Sequence, residues 1–219
     1  EAGPSFIKLG QILATRSDLL GEELTADLSD LQDRLPPFSG TDARAAIEAE
    51  FNEPVADVFP EFDDTPVAAA SIAQVHFAVT ADGREVAVKV LRPDIEEAFA
   101  RDLDLLHWGA DLIERTRPRL RRLKPREVVA TLATTVEMEM DLRFEAAAAT
   151  EIAENFEGDT DFKVPKVDWS RTGQRVMTTE RITGVSLDDR NGIEAAGFDP
   201  LDITAKAART TFKQVFKHR

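Results

Sequence analysis

Lys89 stands alone in an apolar run, REVAVKVL (84–91), and further along the chain three acids, Glu139, Asp141 and Glu145, crowd into EMDLRFE. An ammonium set among valines is a binding group for an anion. Once turned inward it also demands a carboxylate, because a buried charge without a partner is costly. The three acids are the candidates. Placed on one helix, Asp141 and Glu145 are four apart and share a face, and Glu139 lies about 120° around from Glu145. Met138, Met140, Leu142 and Phe144 sit beside them, so part of the stretch must face a core. Upstream of the lysine, AAASIAQVH (68–76) puts three alanines ahead of a strand. Each feature alone has a plainer explanation: an edge lysine pointing at solvent, or solvated carboxylates in an acidic chain.

The elements that must position these groups follow from periodicity. IAQVHFAV (72–79) alternates Val75, Phe77 and Val79 on one face. TADG (80–83) predicts a hairpin turn ending at Gly83. REVAVKVL then sets Val86, Val88 and Val90 on one face and Ala87, Lys89 and Leu91 on the other. A buried valine face aims Lys89 at whatever lies across the sheet. Before the hairpin, residues 4–20 carry a loose helical pattern, ELTADLSDLQDRL runs as a helix up to Pro36-Pro37, and TDARAAIEAEF starts a third with Thr41 as its N-cap. PVADVFPEFDDTP, with three prolines, reads as a loop. After the hairpin come DIEEAFARDLDLLHWGADLIERT, one long helix from about Pro125 to Phe156, strand character in FKVPKVDW and QRVMTTERI, and a last helix over DITAKAARTTFKQVFKH. Helices, hairpin, helices, hairpin, helix is an α+β order.

Composition narrows the function classes. The 219 residues contain no cysteine, which removes disulfide scaffolds, thiolate metal sites and cysteine nucleophiles. A net charge of −14 argues against general nucleic-acid binding. One window departs from that background: RTRPRLRRLKPR, Arg115–Arg126, has seven basic residues and no acid. It is either a solvated helix connection or a contact for anionic lipid head groups or an acidic partner. His76, His107 and His218 lack metal-ligand spacing, Asp63-Asp64 and Asp102/Asp104 lack calcium-loop spacing, and Ser71 has no nucleophile elbow, so no metal site is expected. No stretch is long and apolar enough to span a bilayer as a helix, and EAGPSFIKLG does not read as a signal peptide. The abrupt start and end suggest a piece of a longer protein.

Four segments in order resemble the ABC1/UbiB atypical kinase family, also called the ADCK or coenzyme-Q kinase-like family. They are FIKLGQ (Phe6–Gln11, the KxGQ motif), AAASIAQVH (Ala68–His76, the alanine-rich loop), VAVK (Val86–Lys89, the strand lysine of protein kinases) and EMDLRFEA (Glu139–Ala146, the ExD motif and the helix-C glutamate). The resemblance covers essentially the whole chain. It implies a protein-kinase-like N-lobe, an antiparallel sheet plus helix C, over residues 41–183. A helical KxGQ extension over 1–40 would precede it, and the start of a helical C-lobe over 184–219 would follow. Lys89 would contact the phosphates of ATP or ADP and pair with Glu145. Ala68, Ala69, Ala70 and Ser71 would form the nucleotide loop. Lys8 and Gln11 would fold across the substrate side, with Lys8 meeting Glu139 and Asp141. VMTTERITG would be the interlobe hinge, with Thr179 near the gatekeeper position and the main chain of Glu180 and Ile182 reading adenine.

The function so implied is an ATP-dependent atypical kinase or ATPase supporting isoprenoid-quinone (ubiquinone-type) biosynthesis. Its expected place is cytoplasmic and peripheral to the membrane face, with quinone-biosynthesis proteins as partners and Mg expected only with the full-length protein. The alternative is a nucleotide-responsive, non-catalytic regulatory or scaffold module for a membrane-associated lipid-biosynthetic complex. Glycine lets a backbone approach phosphates closely and adopt positive φ; alanine restricts both, so an alanine loop should be stiffer and hold a γ-phosphate less well. Two departures stand out. The family continues its helix-C glutamate as E-A-x-N, whereas here it is E-A-A-A (Glu145–Ala148). The chain also ends at Arg219, ahead of the catalytic-loop Asp and Asn and the metal-binding Asp, so this stretch alone is expected not to turn ATP over at a useful rate.

Overall fold

A computed structural model describes residues 36–217. The first described helix, α1 (Gly40–Phe51), is capped by Ser39 and not by Thr41: the Ser39 hydroxyl accepts the Asp42 N–H at 3.1 Å. It ends on Asn52 in the left-handed region, φ 54°, whose N–H donates to the Glu48 carbonyl. The proline-broken segment expected to be a loop holds a one-turn helix, α2 (Val55–Val58), and a two-residue strand, β1 (Glu61–Phe62). β2 (Ala68–Ala69), β3 (Ala73–Val79) and β4 (Glu85–Leu91) follow. Next come α3 (Ile95–Thr116), a 3-10 turn (Pro118–Leu123), α4 (Pro125–Glu139) and α5 (Leu142–Asn155). A second 3-10 turn (Trp169–Arg171), β5 (Val176–Glu180) and the helices α6 (Arg190–Ala195) and α7 (Pro200–Lys217) complete the order. The fold is α+β, a small antiparallel sheet with helices on both sides, as in a kinase-like N-lobe.

The sheet runs β1-β3-β4-β5, with β2 also paired to β3. β3 and β4 form the expected hairpin: the Thr80 N–H donates to the Arg84 carbonyl at 3.0 Å, and Gly83 takes φ 78° in the turn, a conformation open to glycine at little cost. Val86, Val88 and Val90 are enclosed against Ile47 of α1, Val55 and Val58 of α2, Phe59 and Val176. Burying each valine is worth roughly 1.5–3 kcal/mol. A one-residue slip of β4 would expose all three and drive Lys89 into this core, so the register is strongly specified.

On β3 Val75, Phe77 and Val79 share one face, as expected, but it is not the more deeply buried one. Val75, Phe77 and Val79 are half-buried, while Gln74, His76 and Ala78 face the core. The polar pair is tolerated because it is fully engaged. Gln74 Oε1 accepts the Phe38 N–H at 3.0 Å, its Nε2 donates to the Phe38 carbonyl at 3.2 Å and to His76 Nε2 at 2.8 Å, and His76 Nδ1 lies 2.8 Å from the Asp63 carbonyl. Hydropathy alternation alone does not reveal a core face on which satisfied polar side chains stand in for apolar ones.

The opposite face of the sheet receives α5, with Leu142 and Ala146 against Ala73, Leu91 and Met177. α3 and α4 pack beside it through Phe99, Leu132 and Val136. The single helix expected over Pro125–Phe156 is two. Met140 (φ −81°, ψ 4°) and Asp141 (φ −123°, ψ 96°) leave helical geometry, and Asp141 caps α5 by accepting the Arg143 N–H at 3.1 Å. The Leu142 N–H donates to the Gln174 carbonyl at 2.8 Å, fastening the start of α5 to the lead-in of β5. FKVPKVDW is not a strand; it runs along the edge of β5 with one bridge, Val167↔Thr179.

The basic window forms the turn between α3 and α4. Arg126 bonds Asp111 at 2.5 Å, and Lys124 bonds Glu127 at 2.9 Å. Arg117, Arg119 and Arg122 are exposed.

Candidate functional site

Lys89 lies on a strand paired on both sides, opposite Val75 on β3 and Met177 on β5. Its ammonium reaches both oxygens of Glu145, at 2.8 and 2.6 Å. The glutamate stands in the first turn of α5, which Leu142, Ala146 and the Gln174 carbonyl hold against the sheet. Lys89 is 30% exposed and Glu145 50%. An ion pair this wet adds at most about 1 kcal/mol to stability. What it fixes is the position of the ammonium.

The pair closes one end of a cavity of 340 Å³. Ala68, Ala69 and Ala70 form one side, and Val75, Ala87, Met177 and Thr179 supply the walls. The alanines are a hairpin arm: Ala68 pairs with Val75, Ala69 pairs with Gln74, and the Ala70 N–H donates to the Ala73 carbonyl at 2.8 Å around a turn at Ser71-Ile72. The size falls in the range of small-molecule sites, and mostly apolar walls with Gln74, Thr179 and one charged pair as the polar groups suit a flat ring carrying an anionic tail.

Ser71 does not line this cavity. It borders an adjoining groove of 660 Å³ that shares Ala70, Lys89 and Glu145 and adds Thr135, Met138, Glu139, Asp141 and Phe144. The three acids therefore meet around one space from two helices: Glu139 ends α4, Asp141 caps α5, and Glu145 is in its first turn. Asp141 is turned onto Arg143, with Nε–Oδ1 2.9 Å and Nη2–Oδ2 2.6 Å, and these bonds hold its carboxyl below the usual carboxylate range. Lys8 and Gln11 lie outside the described residues.

Glu180 and Ile182 follow the cavity-lining Thr179, at the end of β5 and just beyond it. The Glu180 N–H donates to the Lys166 carbonyl at 2.8 Å, and its carboxylate bonds Lys163 at 2.7 Å. Ile182 is exposed beyond the end of β5. Neither lines the cavity; Met177 and Thr179 do. Sequence reasoning left Val75, Ala87 and Met177 out of the site. The signal was available: stepping by two from Lys89 gives Ala87, and from Thr179 gives Met177. Among the described residues no three His, Asp or Glu side chains come together as an all-protein metal site requires.

A model of the ABC1 atypical kinase-like domain matches residues 30–219. The chain belongs to that family. Among its ABC1 relatives, a protein of Xanthomonas campestris pv. campestris named probable protein kinase UbiB is 47% identical over 222 residues, covering 99% of this chain and 40% of its own length. A probable protein kinase UbiB of Xylella fastidiosa is 44% identical over 217 residues, covering 99% and 39%. The chain thus spans about two fifths of the curated relatives it matches. The structure of Rv3197 from Mycobacterium tuberculosis in complex with erythromycin superposes with a TM-score of 0.60 at 32% identity, covering 83% of this chain and 44% of that one. The lysine–glutamate pair and the alanine hairpin are therefore features of an ABC1 kinase-like chain.

Proposed function

We propose that this chain is the nucleotide-binding part of an ATP-dependent atypical kinase or ATPase. The observation that carries the reading is the Lys89–Glu145 pair, 2.6 Å apart, at the end of the alanine-roofed cavity. In this reading adenine lies between Val75, Ala87 and Met177 with Thr179 behind it, and the ammonium of Lys89 takes the α- and β-phosphates while Glu145 keeps it aimed. Mg bound with ATP offsets phosphate charge, and its protein ligands belong to the remainder of the full-length protein. The alanine arm allows less close approach than glycine would and holds a terminal phosphate less firmly.

Residues 41–183 are the lobe in this proposal, 1–40 an extension folding over its substrate side, and 184–219 the start of the C-lobe. The groove beside Lys89, with Glu139 in its wall, offers a place for the Lys8 cation. The name UbiB borne by the relatives supports isoprenoid-quinone biosynthesis of the ubiquinone type as the pathway served. Among the described residues no helix is long and apolar enough to cross a membrane. The exposed Arg117, Arg119 and Arg122 support a peripheral contact with anionic head groups at the cytoplasmic face.

Titrating ATP and ADP against the full-length protein and its Lys89→Met variant tests the proposal. The variant is expected to bind at least about tenfold more weakly, ~1.4 kcal/mol. Equal affinities would overturn the assignment of the cavity. Tight binding without Mg-ATP turnover above that of the variant would identify a nucleotide-responsive regulatory module instead.

A further inference from the structure

Arg92 follows β4, three residues beyond Lys89, and its contacts run in two directions. Its Nη2 donates to the Pro36 carbonyl at 2.7 Å and reaches the Ala70 carbonyl at 3.4 Å. The guanidinium carbon lies 5.4 Å from the centre of the Phe38 ring. Its main-chain N–H donates to the Ile72 carbonyl at 2.8 Å, and its carbonyl accepts from Arg175 Nη2 at 2.9 Å. One residue thus holds the tip of the alanine hairpin by backbone and side chain together. The same side chain grips residues 36–38, the strap that leads into α1. Gln74 grips that strap a second time, through both main-chain groups of Phe38.

The hairpin arm has little of its own to hold it: beyond the β2 pairs, only the Val67 N–H donating to the Val75 carbonyl and the Ala70 N–H donating to the Ala73 carbonyl, each at 2.8 Å. β2 has two residues, Ala68 and Ala69, and carries no large side chain. A pairing this short is marginal, so the height of the arm over the cavity must be set from outside it. A guanidinium can set it, being planar, with several donors in a fixed fork, and able to stack on an aromatic face while bonding carbonyls at its edge. A lysine offers one compact ammonium and cannot do both.

We propose that Arg92 is a positioning residue that couples the alanine hairpin over the cavity to the strap of residues 36–38. Lifting the hairpin breaks the contact at Ala70 and loosens the grip on Pro36; loosening the strap frees the hairpin by the same amount, because coupling between two sites is reciprocal. The alanine arm is then a roof whose movement is tied to the attachment of the N-terminal chain. The coupling itself needs no nucleotide. Its consequence for nucleotide binding rests on the reading of the cavity given above.

Hydrogen–deuterium exchange on the full-length protein reads both ends separately, in peptides covering 36–39 and 68–73. Without nucleotide, Arg92→Met is expected to speed exchange in both peptides by about tenfold, and Arg92→Lys by less. Phe38→Leu removes the ring under the guanidinium but keeps the strap apolar, and is expected to speed exchange in the hairpin peptide. In an Arg92→Met background it should add nothing there. Acceleration of only one peptide in Arg92→Met, or an undiminished effect of Phe38→Leu in the double variant, overturns the coupling. Where Arg92→Met does not melt cooperatively, Phe38→Leu and Arg92→Lys carry the test: the lysine background must reduce the effect of Phe38→Leu on the hairpin. Adding ADP should slow both peptides in the parent and only the hairpin peptide in Arg92→Met. If ADP changes neither peptide in the parent, the cavity assignment fails while the nucleotide-free result still decides the clamp.

Discussion

Glu145 holds Lys89 from the helix laid over the lysine's own face of the sheet, with both carboxylate oxygens within 2.8 Å of one ammonium. Neither is deeply buried, and the bond spans from the centre of β4 to the first turn of α5. The helix is seated by other means, Leu142 and Ala146 in the apolar layer and a main-chain bond to Gln174. The ion pair therefore answers to the packing, and the packing does not depend on the ion pair.

Glu145→Gln should separate these roles. The solvent-screened pair contributes at most about 1 kcal/mol, so the urea midpoint should move little. ATP affinity should fall by about tenfold or more as the ammonium loses its aim. A variant that loses several kcal/mol of stability yet binds ATP normally would show that the pair is a strut and not part of a binding site.

Leu142→Ala makes the converse case. Leu142 is 1% exposed among Ala73, Leu91 and Met177, and truncating such a residue costs about 2–5 kcal/mol. Because Leu142 opens the helix that carries Glu145, nucleotide affinity should drop along with the unfolding midpoint, although the residue lines neither cavity nor groove. Loss of stability with unaltered affinity would mean that the seat of α5 does not set the lysine.

The alanine hairpin gives a gain-of-binding test. Ala69 pairs with Gln74 in the arm beside the cavity. Glycine there is expected to raise nucleotide affinity by allowing closer backbone approach, at a stability cost of about 0.5–1 kcal/mol. Calorimetric titration of ADP against both forms checks it, and unchanged or weaker binding by Ala69→Gly would sink the steric account.

What could be read in advance, and what could not, divides along physical lines. The valine face of β4 and the turn at Gly83 were legible because period-two burial and positive φ leave marks in neighbouring residues. The break at Met140-Asp141 has no proline or glycine to announce it. Its one signal is an aspartate ahead of Leu142, and that cue also fits a solvated helix residue. The inward face of β3 was hidden because Gln74 and His76 are satisfied by Phe38 and Asp63, partners that no local pattern reveals. Arg92 carried no sequence signal at all, since its contact at Pro36 is 56 positions away. The acids were legible as a cluster around one site, but their division between two helices was not.

His76 supplies a dependence on pH whose sign follows from its hydrogen bonds. Phe38 offers Gln74 one donor and one acceptor, which fixes the amide with its Nε2 toward His76. His76 Nε2 must then accept, and Nδ1–H donates to the Asp63 carbonyl. A second ring proton would point at the amide donor. Burial lowers the imidazole from its ordinary 6.5 and outweighs Asp63 and Asp64, which pull the other way, while Arg44 adds to the lowering. The unfolded chain therefore binds more protons than the native one as pH falls below 6.5, and stability must fall with it, by up to about 1.4 kcal/mol per pH unit until the folded imidazole itself titrates. His76→Gln can accept from Gln74 and donate to Asp63 without titrating. Urea midpoints at pH values on either side of 6.5 should fall for the parent and stay flatter for the variant. Parallel curves for the two proteins would place the acid sensitivity outside this buried pair.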